Sequence, residues 1–153
     1  MLYVFAFIGL TLSIAQGVLV RRLAQRISEG PLAIGGACVS LAGFVLLAAA
    51  ARTLSLPLFF AAVIVEVTGF ALITPSINSL LSRRTDPHQQ GGILGLGQTA
   101  GALARILGPV VGIRLFYVDP AWPYAAASGL MFVALGLIAW AVRIGRDWSG
   151  DAE

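Results

Sequence analysis

The chain has 153 residues, of which 58% are hydrophobic and 11% charged, with a mean hydropathy of +0.90 and a net charge of +3. An ordinary soluble domain carries roughly 25% charged residues; a water-soluble fold of this size would lack the polar surface to cover itself, whereas apolar side chains facing lipid need no cover. All ten basic residues are arginine, and so small a net charge, spread along the chain, does not describe a nucleic-acid surface. The single cysteine, Cys38, rules out an internal disulfide. Its place within an apolar run predicts a small buried hydrophobe.

Five apolar runs follow in order, at about residues 1–20, 31–51, 55–81, 91–118 and 121–142. Arg21, Arg22 and Arg26 end the first, Arg52 the second, Arg83 and Arg84 the third, and Arg143 and Arg146 the fifth. Each approaches the ~20 residues that carry a helix across ~30 Å of hydrocarbon. Strands of a membrane barrel would be half as long and would alternate polar with apolar, which these runs do not. The separators are short and rich in Pro, Gly, Asp and Ser, as turns are. Pro31 opens the second run, where its missing N–H costs nothing. The expected fold is therefore an all-α membrane protein, a single domain over residues 1–153 built as a bundle of five transmembrane helices.

Alternating spans put Arg21, Arg22, Arg26, Arg83, Arg84, Arg143 and Arg146 on one side, against Arg52 and Arg114 on the other. This asymmetry makes the first side cytoplasmic and predicts a multi-pass protein of the cell membrane with its C-terminus inside. Tyr3, Phe116, Tyr117, Trp122 and Tyr124 fall near the outer edge, and Trp140 and Trp148 near the inner one. Met1 then lies outside and opens directly into an apolar run, without a basic leader segment. On this reading the chain is a fragment whose earlier helices are missing or supplied by a partner chain.

Two charges fall deep in the spans. Glu66 lies about 21 Å above Leu80, and Arg105 about 20 Å above Gly92, at ~1.5 Å per residue. An ion at mid-bilayer costs at least ~2.5–3.5 kcal/mol, so such groups face the bundle interior and pair. Glu66 and Arg105 are therefore expected to face each other or a shared aqueous cavity. Three readings stay open: a static ion pair joining two helices, an Arg105 that pairs with backbone carbonyls, or a proton pathway through the Glu66 carboxyl, which a tight Arg105 pair would oppose. Gln98 is a third polar candidate, either lining a cavity or bonding across to another helix.

The fourth span repeats small residues every four positions at Ala100, Ala104, Gly108 and Gly112. Such a stripe lets a neighbouring helix approach closely. It reads as a packing seam, fixed or shifting between states, and Pro109 should bend or loosen the helix near its outer third. His88 has no partners at metal-ligand spacing, and neither a catalytic set nor a cofactor motif is visible, so no enzymatic role is expected.

Three stretches resemble the major facilitator superfamily, within it the drug:proton antiporters of the tetracycline-efflux type. Gln16 and Gly17 followed by Arg22-Leu23-Ala24-Gln25-Arg26 resemble a degenerate copy of the family's loop signature, with Gln25 for its Asp, Ser28 for its Gly and Glu29 for a basic residue. Gly69 through Pro75, with Leu80-Leu81-Ser82-Arg83, resembles the tenth helix and following loop. Gly95, Ala104, Gly108, Pro109 and Gly112 match the spacing of the antiporter motif, with Ala104 and Ile113 departing from it. The family's halves are parallel repeats, so helices two to six and eight to twelve both come into question. The third span lacks the Arg that the fourth helix of the family carries, which favours helices eight to twelve, in the C-terminal six-helix half.

The resemblance implies a proton-coupled efflux antiporter of drug-like small molecules working by alternating access. It implies cavity-lining first, third and fourth spans, and lipid-facing second and fifth ones. The lipid bilayer, a small-molecule substrate and protons would be its partners. The alternative is a membrane protein that binds or scaffolds a partner without transporting.

Overall fold

Where backbone polar groups meet no water they must be satisfied within the segment, and all the regular structure among the described residues is helical. The computed structural model describes residues 2–145 and 147–148. Met1 and Arg146, on which the topology reading partly rests, lie outside the described residues. The first span joins α1 (Leu2–Ile14), a π-helical segment (Ala15–Val20) and α2 (Arg21–Ala24). The others are α3 (Glu29–Thr53), α4 (Leu56–Arg83), α5 (Gln90–Val118) and α6 (Trp122–Ile144). Among the described residues five helices are thus long and apolar enough to cross a membrane, and the chain is a multi-pass helical membrane protein.

The helices outrun the apolar stretches. Arg21 and Arg22 lie within α2, Arg52 within α3 and Arg143 within α6. Arginine is a good helix former, and its long stem lets the charge reach the interface, so it ends the hydrocarbon segment without ending the helix. Prolines in the first turns of α4 and α6 lose no hydrogen bond. Pro75 and Pro109 lie inside α4 and α5, whose helical assignment runs unbroken through them. α3 ends at Leu54 in a left-handed conformation (φ 51°, ψ 30°), a position usually given to Gly or Asn.

α3 and α4 form the centre of the bundle. Ala33, Gly36, Ser40, Gly43, Leu47 and Ala50 are all buried. They recur at alternating intervals of three and four, the pattern of a helix-pair seam. Ala62, Gly69 and Ser76 are the buried counterparts on α4. An apolar cluster of Leu47, Ala62, Val63 and Val67 gathers Phe7, Ile8 and Leu12 of α1 around it. Phe7 and Phe60 meet edge to face, with centroids 5.0 Å apart. α6 lies on the other side of α3, where Gly30 admits Val142 so closely that a Cβ there would meet its Cγ1 at 2.8 Å.

Two expectations change here. The second span is not simply peripheral: α3 is covered by α4 and α6 and, apart from Arg52 and Thr53 at its end, leaves only the stripe Pro31, Gly35, Cys38, Ala42, Val45 and Ala49 exposed. Cys38 belongs to that stripe and is not a buried hydrophobe. α5, by contrast, has no buried residue among those described.

Candidate functional site

Glu66 sits in the α3–α4 seam, half-buried, directly over Gly43. A side chain at position 43 would bring its Cβ to 2.5 Å from the Glu66 Cα and 2.6 Å from its Cβ. Glycine alone lets the stem of Glu66 rest on the α3 backbone. One turn on, a Cβ at Gly69 would run into the Ser40 amide nitrogen and lie 2.7 Å from the Gly36 carbonyl oxygen. Between these contacts the fully buried Ser40 donates its hydroxyl to Glu66 Oε1 at 3.5 Å. Ionised, the carboxylate accepts this bond; protonated, it also carries a donor of its own. The site is thus a carboxyl in a membrane span, held by one hydroxyl and by two helix backbones in contact.

Sequence reasoning singled out Glu66 but passed over Ser40 and Gly43. The signal was the three-and-four alternation of small residues from Ala33 to Gly43.

Arg105 and Gln98 are both exposed on α5. They fall in the row Leu94, Gln98, Gly101, Arg105, Gly108, Gly112, again spaced by fours and threes, so both lie on one helix face. The structure does not bring Glu66 and Arg105 together. Glu66 faces α3, while Arg105 lies back over Gly101, its Nη2 3.8 Å from where a Cβ at that position would stand. Among the described residues the one ion pair is Glu29–Arg83. Similar depths did not make them neighbours, because depth follows from counting along a helix whereas direction follows from packing.

The small-residue motif is displaced in the same way. Gly95, Ala104, Gly108 and Pro109 are exposed and Gly112 is half-buried. Gly95, Gly108 and Gly112 have no non-local heavy atom within 4 Å of an added Cβ. Among the described residues the close helix approach lies between α3 and α4.

The N-terminal end of α3 and the C-terminal ends of α4 and α6 are tied together. Arg83 Nη1 donates to Glu29 Oε2 at 2.8 Å and Ser79 donates to Glu29 Oε1 at 3.2 Å. Glu29, which departs from the loop signature by replacing a base, thus meets a base on α4. Arg84 donates to the carbonyls of Ala141 (2.8 Å) and Val142 (3.5 Å), closing the C-terminal end of α6. Gln90 donates to the Ser82 carbonyl at 2.8 Å, and the Trp148 amide to the Arg83 carbonyl at 3.1 Å. His88 is exposed, and its backbone N–H donates to Asp86 Oδ1 at 2.9 Å.

The chain is similar to the mouse (Mus musculus) major facilitator superfamily domain-containing protein 10, 29% identical over 91% of this chain and 30% of that protein. The Bos taurus protein of the same name is 30% identical over 74% of this chain and 24% of its own length. Multidrug resistance protein 2 of Bacillus subtilis (strain 168) is 35% identical over 44% of this chain and 17% of that protein. The chain spans less than a third of the length of these curated relatives. No family model matches it, and no solved structure matches significantly. The five spanning helices and these relatives together support a place for the chain in the major facilitator superfamily.

Proposed function

We propose that the chain supplies helices eight to twelve of a proton-coupled antiporter that exports drug-like small molecules by alternating access. The observation that carries this reading is the similarity to major facilitator proteins over 91% of the chain. The shorter match to a protein named for multidrug resistance supports the efflux part. In this reading Glu66 is the carboxyl that binds and releases the proton. Its protonation is coupled to the α3–α4 seam through Ser40, while Gln98 and Arg105 on α5 face the substrate cavity. Seven further helices, on the same polypeptide or a partner chain, complete that cavity. The protein lies in the cell membrane with its C-terminus in the cytoplasm, a reading supported by the arginine asymmetry.

Ethidium efflux from energised cells expressing the full open reading frame, with and without a protonophore, tests the reading. Protonophore-sensitive efflux that is lost in Glu66→Gln is the expected result. Proton-driven efflux at full rate in Glu66→Gln removes the role of this carboxyl. No efflux of ethidium or of any compound in a panel of cationic and neutral drugs overturns the transport reading. It would favour the second one, a scaffold that binds partners, to which the absence of buried residues on α5 and α6 lends support.

A further inference from the structure

The first span ends in an amphipathic trough that the reading above does not use. At its arginine-rich end is a cavity of about 650 Å³, lined by Val18, Leu19, Leu23 and Ile27 together with Arg22 and Arg26. The backbone beside the hollow closes in one last turn: the amides of Arg26 and Ile27 both donate to the Leu23 carbonyl at 2.9 Å. A second groove of about 430 Å³ continues from it between the first span and α4. The two share Val18 and Leu19, and the groove runs on past Ile14 and Thr11 against Ile64 and Thr68. Arg21 lines a further hollow beside the same segment.

Arg21, Arg22 and Arg26 are all exposed, and none takes part in the ion pair found among the described residues. Their guanidinium groups are planar donor forks that match phosphate oxygens. From Arg22 to Thr11 the helix rises about 16 Å at ~1.5 Å per residue. That is the hydrocarbon depth of one leaflet, half of a ~30 Å core. A cationic end joined to an apolar groove one leaflet deep has the charge and length of a single kind of occupant.

We infer that this trough binds an anionic phospholipid. The phosphate sits between Arg22 and Arg26 with Arg21 beside them, and one acyl chain lies in the groove against Ile14, Val18, Leu19 and Ile64. A soluble phosphate would leave the groove empty, and a zwitterionic lipid would leave the arginines without net countercharge. The inference does not rest on the transport reading, since lipid binding is measured without transport.

The test is native mass spectrometry of the full chain in detergent micelles, titrated separately with dioleoylphosphatidylglycerol and dioleoylphosphatidylcholine. The expected result is about tenfold tighter binding of the anionic lipid, lost in the Arg22→Gln/Arg26→Gln variant and kept in Arg143→Gln. Glycerol phosphate should not displace the bound lipid. Ile64→Trp, which fills the groove and leaves the arginines in place, should weaken binding of the anionic lipid. It keeps the test decisive if circular dichroism shows that the double variant does not fold. Equal binding of the two lipids overturns the inference. So does displacement by glycerol phosphate, full binding in Ile64→Trp, or a folded double variant that binds as well as Arg143→Gln.

Discussion

Replacing Gly69 by alanine sets a methyl carbon against the Ser40 amide nitrogen and 2.7 Å from both the Gly36 carbonyl oxygen and the Ser40 Cα. All three obstructing atoms belong to the α3 backbone and have no rotamer through which to yield. Unstrained carbon contacts lie at ~3.5–4.0 Å, so α3 and α4 must part by about 1 Å at this level. Overpacking of this kind costs ~1–3 kcal/mol, and with rigid backbone on the far side we expect about 3 kcal/mol. That outweighs the ~0.5–1 kcal/mol by which alanine favours a helix over glycine. The separation also draws Ser40 away from Glu66, whose bond is already 3.5 Å long. Gly95→Ala and Gly108→Ala are the controls, since nothing beyond the local helix lies within 4 Å of either new methyl. They should leave the chain as stable as before or up to ~1 kcal/mol more so. Reversible unfolding of the full chain by sodium dodecyl sulfate in mixed micelles, followed by far-ultraviolet circular dichroism, reads all three variants. If Gly69→Ala unfolds where the original does, or if Gly108→Ala loses as much as Gly69→Ala, the seam is not between α3 and α4.

Arg84→Gln removes the charged donor that closes α6 at Ala141 and Val142. A loss of about 1–2 kcal/mol is expected, confined to that end. Hydrogen exchange should quicken at residues 142–145 and stay unchanged along the α3–α4 seam; a uniform change would mean that Arg84 does not act as a helix cap. Cys38 on the exposed stripe of α3 should react with an uncharged maleimide while the chain is folded, and resist a sulfonated maleimide in intact bilayers, whose hydrocarbon the charged reagent does not enter. Reaction only after denaturation would put Cys38 back inside the protein.

The number and approximate ends of the spans were legible in the sequence because a bilayer demands continuous apolarity over a known thickness. The membership of each span in the core was not. Continuous apolarity is equally the mark of a face on lipid and a face on protein, so Cys38 on an exposed stripe and Ser40 in a seam look alike on the page. Glycines are ambiguous for the same reason. Gly69 and Gly108 carry identical chemistry, yet an added methyl meets helix backbone at one and open space at the other. The Gly36-Ser40-Gly43 pattern, shorter than the Gly95-to-Gly112 spacing, marks the close contact between α3 and α4.

Glu66 shows the division most clearly. Its presence in a membrane span, and its depth there, follow from counting residues along a helix of known rise. By itself the sequence determined a five-span helical membrane protein and the distribution of its arginines along the chain, because these depend on composition and linear distance. Only the tertiary structure decided that Glu66 turns to Ser40 and not to Arg105, and that Glu29 finds Arg83 across the bundle. Those choices depend on which helix faces which, and that is decided where two backbones can come close enough to touch.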